Sequence, residues 1–197
     1  MILDDILART RADLEPRKKA RPQAEMVAAA VERAGQRRSL RAALRKPGAV
    51  ACISEFKRRS PSLGWINETA DLEATVRAYA AGGASALSVL TDEPFFGGRL
   101  ADLKPAWLAS GLPVLRKDFI VDPYQIAEAA AAGADAILLI VAALNDGELA
   151  ELLATARATR LDVLVEAHDA ERASELLAPS DAEPGEGPPS GEPSLEP

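Results

Sequence analysis

The chain has a single cysteine, Cys52, so no internal disulfide framework is open to it, and the lone thiol suits a reducing compartment. A single histidine, His168, argues against a histidine-built metal site or a Ser–His–Asp triad and reads as a loop or core residue. Aromatic residues make up only 4%, so a core must be built from Ala, Leu, Val and Ile, which suits a helix-covered parallel sheet. No apolar run approaches the roughly 18 residues of a membrane span. The opening Met-Ile-Leu-Asp-Asp lacks the basic stretch and long apolar segment of a secretion signal. The expectation is a cytoplasmic protein with no membrane partner.

Basic residues are outnumbered, 23 Lys and Arg against 30 Asp and Glu, which argues against a nucleic-acid partner. The imbalance sits mostly at one end. Pro179–Pro197 carries five acids (Asp181, Glu183, Glu186, Glu192, Glu196), no base and six prolines, so it holds five of the seven net negative charges. With one large apolar residue, that stretch cannot bury enough surface to offset its ordering entropy and is expected to be disordered.

Three regions follow. Residues 1–47 read as a helical, basic extension with apolar stripes at Ile2, Ile6 and Leu7, then Met26, Val27 and Val31, then Leu40 and Leu44, punctuated by Pro16, Pro22 and Pro47. The basic clusters Arg17-Lys18-Lys19 and Arg37-Arg38 read as solvated helix faces. Residues 48–178 alternate short apolar runs with helical stretches, and 179–197 form the tail.

The apolar runs are Ala49–Phe56, Ala86–Leu90, Pro113–Arg116, Ala136–Val141 and Asp162–Glu166. They are nearly continuous, as strands buried on both faces should be. Between them lies helix punctuation. Asp122, Pro123 and Gln125 occupy N-cap, N1 and N3, Asn145 with Glu148 repeats a capping box, and Asp169 opens another helix. Gly82 or Gly83, Gly111 and Gly133 stand where helices should stop. Ala81–Ala86 also matches Ala131–Ala136 at an offset of 50 residues, each just before a strand.

Alternation of strand and helix implies parallel pairing through right-handed crossovers, and the repeat favours a barrel over an open sheet. No Gly-x-Gly-x-x-Gly follows a strand, which disfavours a dinucleotide fold. The fold class is therefore α/β, of the (β/α)8 TIM-barrel type, with about five of eight βα units and N-terminal helices. At 197 residues the chain is short for a barrel of about 250. Five strands cannot close one, so the first and last are expected to offer open edges and apolar faces, a route to self-association.

In such a fold the site lies at the C-terminal ends of the strands. Side chains alternate along a strand, so Glu55 and Lys57 point the same way at the end of the first. Lys117 ends the third strand and Glu166 the fifth. Alternate strands fill the same interior layers, so Glu55, Lys57, Lys117 and Glu166 are expected to converge. Four charges at a barrel mouth are costly unless used, and two lysines with two carboxylates suit acid–base chemistry on an anionic substrate. The loop Arg58–Gly64 that follows is rich in donors for an anion. Cys52 faces away from Glu55 by parity and reads as a packing residue.

These stretches resemble the indole-3-glycerol phosphate synthase family of tryptophan biosynthesis. The resemblance rests on Ser54–Ser62 (SEFKRRSPS), Ala86–Gly98 (ALSVLTDEPFFGG), Pro113–Ile126 (PVLRKDFIVDPYQI), Ala134–Ala143 (ADAILLIVAA) and Val163–Asp169 (VLVEAHD), in that order, and spans about residues 1–178. It implies a carboxy-lyase that closes an indole ring with loss of carbon dioxide and water, on a small phosphorylated substrate, with no cofactor and no metal. By the same resemblance Lys117 is the general acid and Glu166 its acid–base partner. Lys57 contacts substrate carboxylate or phosphate, with Glu55 beside it. Ser60 and Ser62 belong to a substrate loop, and Phe96, Phe119 and Leu138 wall an aromatic pocket.

The family's Asn-bearing sixth strand, its Ser-Glu-Ser-Gly segment on the seventh and its Gly-rich eighth are not found in these 197 residues. Thr159-Arg160 stands where the family often has a glycine. The expectation for the 197-residue chain alone is little or no turnover. The competing expectations are a non-enzymatic half-barrel that associates with a partner or with itself, and a related sugar-phosphate lyase or isomerase.

Overall fold

A computed structural model describes residues 2–45 and 47–177; the tail expected over 179–197 lies outside the described residues. The chain opens with α1 (Ile2–Ala20), α2 (Gln23–Arg33) and α3 (Leu40–Leu44). Then follow β1 (Ile53–Phe56), a short hairpin of β2 (Arg59–Ser60) and β3 (Gly64–Trp65), α4 (Leu72–Ala81), β4 (Ala86–Leu90), α5 (Glu93–Phe96) and α6 (Leu103–Ser110). Next come β5 (Val114–Lys117), α7 (Pro123–Ala132), β6 (Ala136–Ile140), α8 (Asp146–Ala158) and β7 (Asp162–Glu166). The chain up to Glu166 forms one compact unit.

The five long strands make one parallel sheet in the order β1-β4-β5-β6-β7. This is the incomplete TIM-barrel arrangement that the strand–helix rhythm predicts. The register pairs Glu55 with Ser88, Leu90 with Lys117, Leu115 with Ala136 and Ile140 with Glu166. One set of alternating side chains therefore shares the inner face: Glu55, Ser88, Leu115, Lys117, Leu138 and Glu166. The other set faces the helices, and Leu87, Val89, Val114, Ile137 and Leu139 are fully buried there with Val76, Leu103, Ile126 and Leu152.

Capping explains where the helices lie. Asp122 accepts from the Tyr124 amide with Pro123 in the first turn of α7, and Asn145 and Glu148 form a reciprocal capping box on α8. Gly111 ends α6 in a left-handed conformation that a side chain would resist. Gln125 departs from its expected role. Rather than reaching back to the N-cap, its amide accepts from Val121 N (2.9 Å) and donates to the Phe119 carbonyl (2.9 Å), bracing the loop after β5.

Among the described residues β1 and β7 each pair on one side only, as expected of five strands. The inner apolar face is nevertheless not exposed. Leu40 of α3 packs with Ala86, Leu115 and Ala136, flanked by Leu44, Ile53 and Leu164, so α3 plugs the lower layer. Leu115, Ala136 and Leu138 are at most 1% exposed, while Val165 on the edge strand is 40% exposed.

The N-terminal segment corrects three expectations. The buried residues of α2 are Met26 and Ala30, one turn apart, whereas Val27 and Val31 are 42% and 68% exposed. Pro16 does not end α1, which continues to Ala20. The basic clusters are solvated only in part: Lys19 is exposed, but its neighbours Arg17 and Lys18 and the pair Arg37-Arg38 are half-buried. Arg17 pairs with Glu128 midway along α7 and Lys18 with Asp122 at its N-cap, and Arg38 stacks on Trp107 (3.7 Å) while donating to the Trp107 and Leu112 carbonyls. Their counter-charges lie far away in sequence, so a local reading cannot find them.

Cys52 also departs from expectation: it lies just ahead of edge strand β1 and is exposed rather than packed. No helix among the described residues is long and apolar enough to cross a membrane. Beyond Glu166 a second unit holds α9 (Ala170–Leu177), whose Arg172 amide bonds the Asp169 carboxylate at 2.6 Å. His168 is an exposed loop residue of that unit.

Candidate active site

The four inward charges gather at the C-terminal rim of the sheet as two ion pairs. Lys57 Nζ lies 3.3 Å from Glu55 Oε1, and Ser88 Oγ, opposite Glu55 in register, donates to Glu55 Oε2 at 3.2 Å. Lys117 Nζ donates to Glu166 Oε2 at 2.9 Å. All four are partly buried, with side chains between 27% and 35% exposed. Each pair keeps enough shielding to strengthen its electrostatics and enough access for a ligand.

Beside the pairs lies a cavity of about 370 Å³ lined by Glu55, Lys57, Leu90, Phe96, Lys117, Asp118, Phe119, Leu138 and Ile140; Glu166 is not in the lining and adjoins it through its hydrogen bond with Lys117. Leu138 shares the lining with the Phe96 and Phe119 rings, which pack on each other at 6.0 Å between centroids, tilted by 35°. The two rings together form one aromatic wall, against which a flat aromatic ligand can stack, with cationic and anionic groups at the rim. Leu90 and Ile140, which the sequence reading did not single out, share the inward parity of their strands and could have been found that way.

Backbone geometry holds the aromatic wall. Asp92 caps α5, accepting from the Phe95 and Phe96 amides at 2.8 and 3.2 Å, and Gly97 leaves the helix in a left-handed turn. Burial pushes the Asp92 carboxyl up from its ordinary value, against those two amide bonds. Asp118, between Lys117 and Phe119, takes the Phe119 amide on Oδ1 at 2.8 Å. Its Oδ2 accepts from Thr91 and from Arg116. Burial works against the Asp118 carboxylate, but the Arg116 charge and the Thr91 and Arg116 hydrogen bonds hold it below the ordinary range. Burial likewise works against Arg116, and Asp118 and Glu128 together raise it above its ordinary value.

The substrate-loop serines stand apart from this cavity. Ser60 is buried, accepts from the Leu63 amide at 3.1 Å and lies 3.4 Å from the Ser62 hydroxyl, while Ser62 is exposed; neither lines the cavity. The Arg58–Gly64 loop is the β2–β3 hairpin. Arg58 there is not a free anion donor, because it is buried, pairs with Asp102 at 2.5 Å and stacks on Phe56. Among the described residues no three His, Cys, Asp or Glu side chains gather in a set that could hold a metal ion.

A parallel strand–helix sheet with its polar cluster and aromatic cavity at the C-terminal strand ends defines the (β/α)8-barrel class. Comparison with known proteins narrows this. The sequence profile described as indole-3-glycerol phosphate synthase matches residues 3–180, and the chain belongs to that family. An indole-3-glycerol phosphate synthase 2 of Ralstonia nicotianae is 51% identical over 148 residues, covering 75% of this chain and 51% of its own length. The synthase of Micrococcus luteus is 48% identical over 173 residues (86% and 65%), and that of Acidithiobacillus ferrooxidans 49% over 183 (90% and 70%). The chain thus spans between about half and two thirds of the length of most of these relatives.

Proposed function

We propose that this chain carries the ring-closing mouth of an indole-3-glycerol phosphate synthase, acting on 1-(2-carboxyphenylamino)-1-deoxyribulose 5-phosphate with loss of carbon dioxide and water. The observation that carries this reading is the Lys117–Glu166 hydrogen bond at 2.9 Å beside a cavity walled by Phe96, Phe119 and Leu138. The substrate's phenyl ring stacks against the wall that Phe96 and Phe119 form together. Lys117 donates a proton to the ketone oxygen as the ring carbon attacks, and Glu166 manages the proton lost afterwards. Lys57, kept in place by Glu55, neutralises the departing carboxylate and assists dehydration. Ser60 and Ser62 act from the hairpin, outside the cavity lining. The setting is cytoplasmic, without a nucleic-acid partner.

The substrate's phosphate needs donors of its own, and the Ser-Glu-Ser-Gly and Gly-rich segments that the family resemblance assigns to the seventh and eighth strands are not in these 197 residues. The 197-residue chain is therefore expected to bind the substrate weakly and turn it over far below family rates. The test uses two proteins. The substrate's carboxyphenylamino group fluoresces, so its binding is titrated against the 197-residue chain. Turnover is assayed on the chain joined after residue 178 to strands six to eight of a relative. The reading predicts binding to the first and ring closure by the second, both weakened by Lys117→Met. A joined protein that folds but never forms indole-glycerol phosphate ends the assignment.

A second reading has one observation behind it: the outer edges of β1 and β7 carry no partner strand among the described residues. Unpaired edges template association, so a discrete folded dimer in gel filtration would favour a self-associating half-barrel.

A further inference from the structure

Lys117 and Phe119 flank Asp118, and Asp118 is the inner end of a line of alternating charges that leaves the mouth and ends on the N-terminal helix. Asp118 Oδ2 accepts from Arg116 Nε (3.1 Å) and Nη2 (2.7 Å). Arg116 Nη1 donates to Glu128 Oε2 on α7 (2.9 Å). Glu128 in turn takes both Arg17 Nε (3.0 Å) and Arg17 Nη2 from α1. Arg116, Glu128 and Asp118 are 1%, 6% and 7% exposed, and the Arg17 side chain is 33% exposed.

Stability is a poor explanation for this line. A buried ion pair recovers its desolvation cost only with good geometry, and apolar residues of similar volume often serve the fold as well. What the line does that apolar residues could not is fix direction. Each carboxylate is held from two sides, so Asp118 has one place to sit, and it pins the Phe119 amide within that place. Thr91, at the end of β4, adds a third donor to Asp118 Oδ2 at 2.5 Å. The Arg116 charge and the hydrogen bonds on Asp118 favour its ionised form against burial, and Asp118 with Glu128 favours the charged Arg116 in the same way.

We propose that Arg17, Glu128, Arg116 and Asp118 are positioning residues, through which the docking of α1 sets where Lys117 and Phe119 stand in the mouth. Asp118 borders the cavity, but its carboxylate oxygens are engaged by Thr91, Arg116 and the Phe119 amide, so it acts through its neighbours. The relay acts on the placement of the Lys117 amine against Glu166 and of the Phe119 ring against Phe96. The inference rests on the reading of this mouth as the ring-closing site, but its geometry can be tested without substrate.

The experiment measures the acetylation rate of each lysine of the intact chain by acetic anhydride, read by mass spectrometry, together with hydrogen exchange at the Phe119 amide. Lys104, on α6 and outside the cavity lining, is the internal reference. Arg17→Ala cuts the line at its outer, half-exposed end; Arg17→Lys keeps the charge. In Arg17→Ala the amine leaves Glu166 more often, so Lys117 labels about threefold faster relative to Lys104, and Phe119 exchange quickens by about tenfold. Arg17→Lys restores most of both.

Asp118→Asn, which cuts the line at its inner end, gives the same pattern more strongly. The proposal fails if Lys117 labelling and Phe119 exchange in folded Arg17→Ala match the parent. It fails equally if Arg17→Ala loses its folded circular dichroism, since the link would then be purely structural. Absence of ring closure by the joined protein leaves these readouts untouched, so the two readings fall separately.

Discussion

Lys117 on β5 reaches past β6 to Glu166 on β7, with 2.9 Å between Nζ and Oε2. Forty-nine residues separate them in the chain. The parallel register alone brings them together, because Lys117 and Glu166 end inward-facing series on strands two apart. Replacing Lys117 by Met removes the proposed proton donor and takes this one partner from Glu166. In the joined protein the expected fall in kcat is about 10²- to 10⁴-fold, the usual worth of a positioned acid, with a smaller change in KM. Steady-state fluorescence of indole-glycerol phosphate formation checks it.

Arg116→Met leaves two buried carboxylates, Asp118 and Glu128, without their shared cation. Breaking a buried pair from one side costs about 3–5 kcal/mol, a large fraction of a domain's stability. Urea unfolding at neutral pH is expected to show an early midpoint or no folded baseline.

Acid should destabilise the chain partly through Asp118. Its folded carboxyl lies below the ordinary value of 3.8, so its contribution is fully present above that value. The contribution is lost as the pH falls through the lower folded value. Asp92 and Asp135, pushed up by burial, work in the opposite sense, because protonation suits their folded environment. Asp118→Asn should therefore flatten the acid limb of stability below about pH 4. Urea midpoints measured from pH 5 downward decide it; parallel limbs for variant and parent count against this account.

Gly98 has no room for a side chain. A Cβ there would stand 2.3 Å from the Leu90 carbonyl oxygen, a backbone atom that cannot step aside without moving β4. Leu90 lines the cavity and Phe96 sits two residues before Gly98. Gly98→Ala is expected to cost about 1–3 kcal/mol and to weaken substrate binding together with stability. Thermal unfolding and the fluorescence titration read the two effects.

Arg160 is the one described non-glycine residue with a positive φ, 56°. It marks the turn from α8 into β7, where the sequence reading notes a glycine in related chains. Relief of the left-handed strain is set against the greater freedom of glycine when unfolded. Arg160→Gly should be neutral to stabilising by about 1 kcal/mol in a urea melt.

Neighbouring residues of α2 should behave oppositely. Met26 is 1% exposed and packs with Leu14 and Tyr124, so Met26→Ala should cost about 2–4 kcal/mol. Val31, 68% exposed, should tolerate Ala within about 0.5 kcal/mol. Equal losses at both positions would mean that α2 packs through a different face.

The amino-acid sequence by itself determined the five strands, the caps at Asp122 and Asn145 and the inward parity of Glu55, Lys57, Lys117 and Glu166, though of the strands it marked as buried on both faces the edge strands β1 and β7 are only partly buried. These follow from period-two alternation and from hydrogen bonds between residues a few positions apart. Only the tertiary structure decided what the N-terminal basic clusters bind, which face of α2 is buried, how α3 covers the inner sheet face, and that Gln125 and Asp118 brace Phe119. Such contacts join residues that are distant in sequence and carry no local period. Their partners are chosen by burial, which makes an unpaired charge or amide costly wherever in the chain its complement lies.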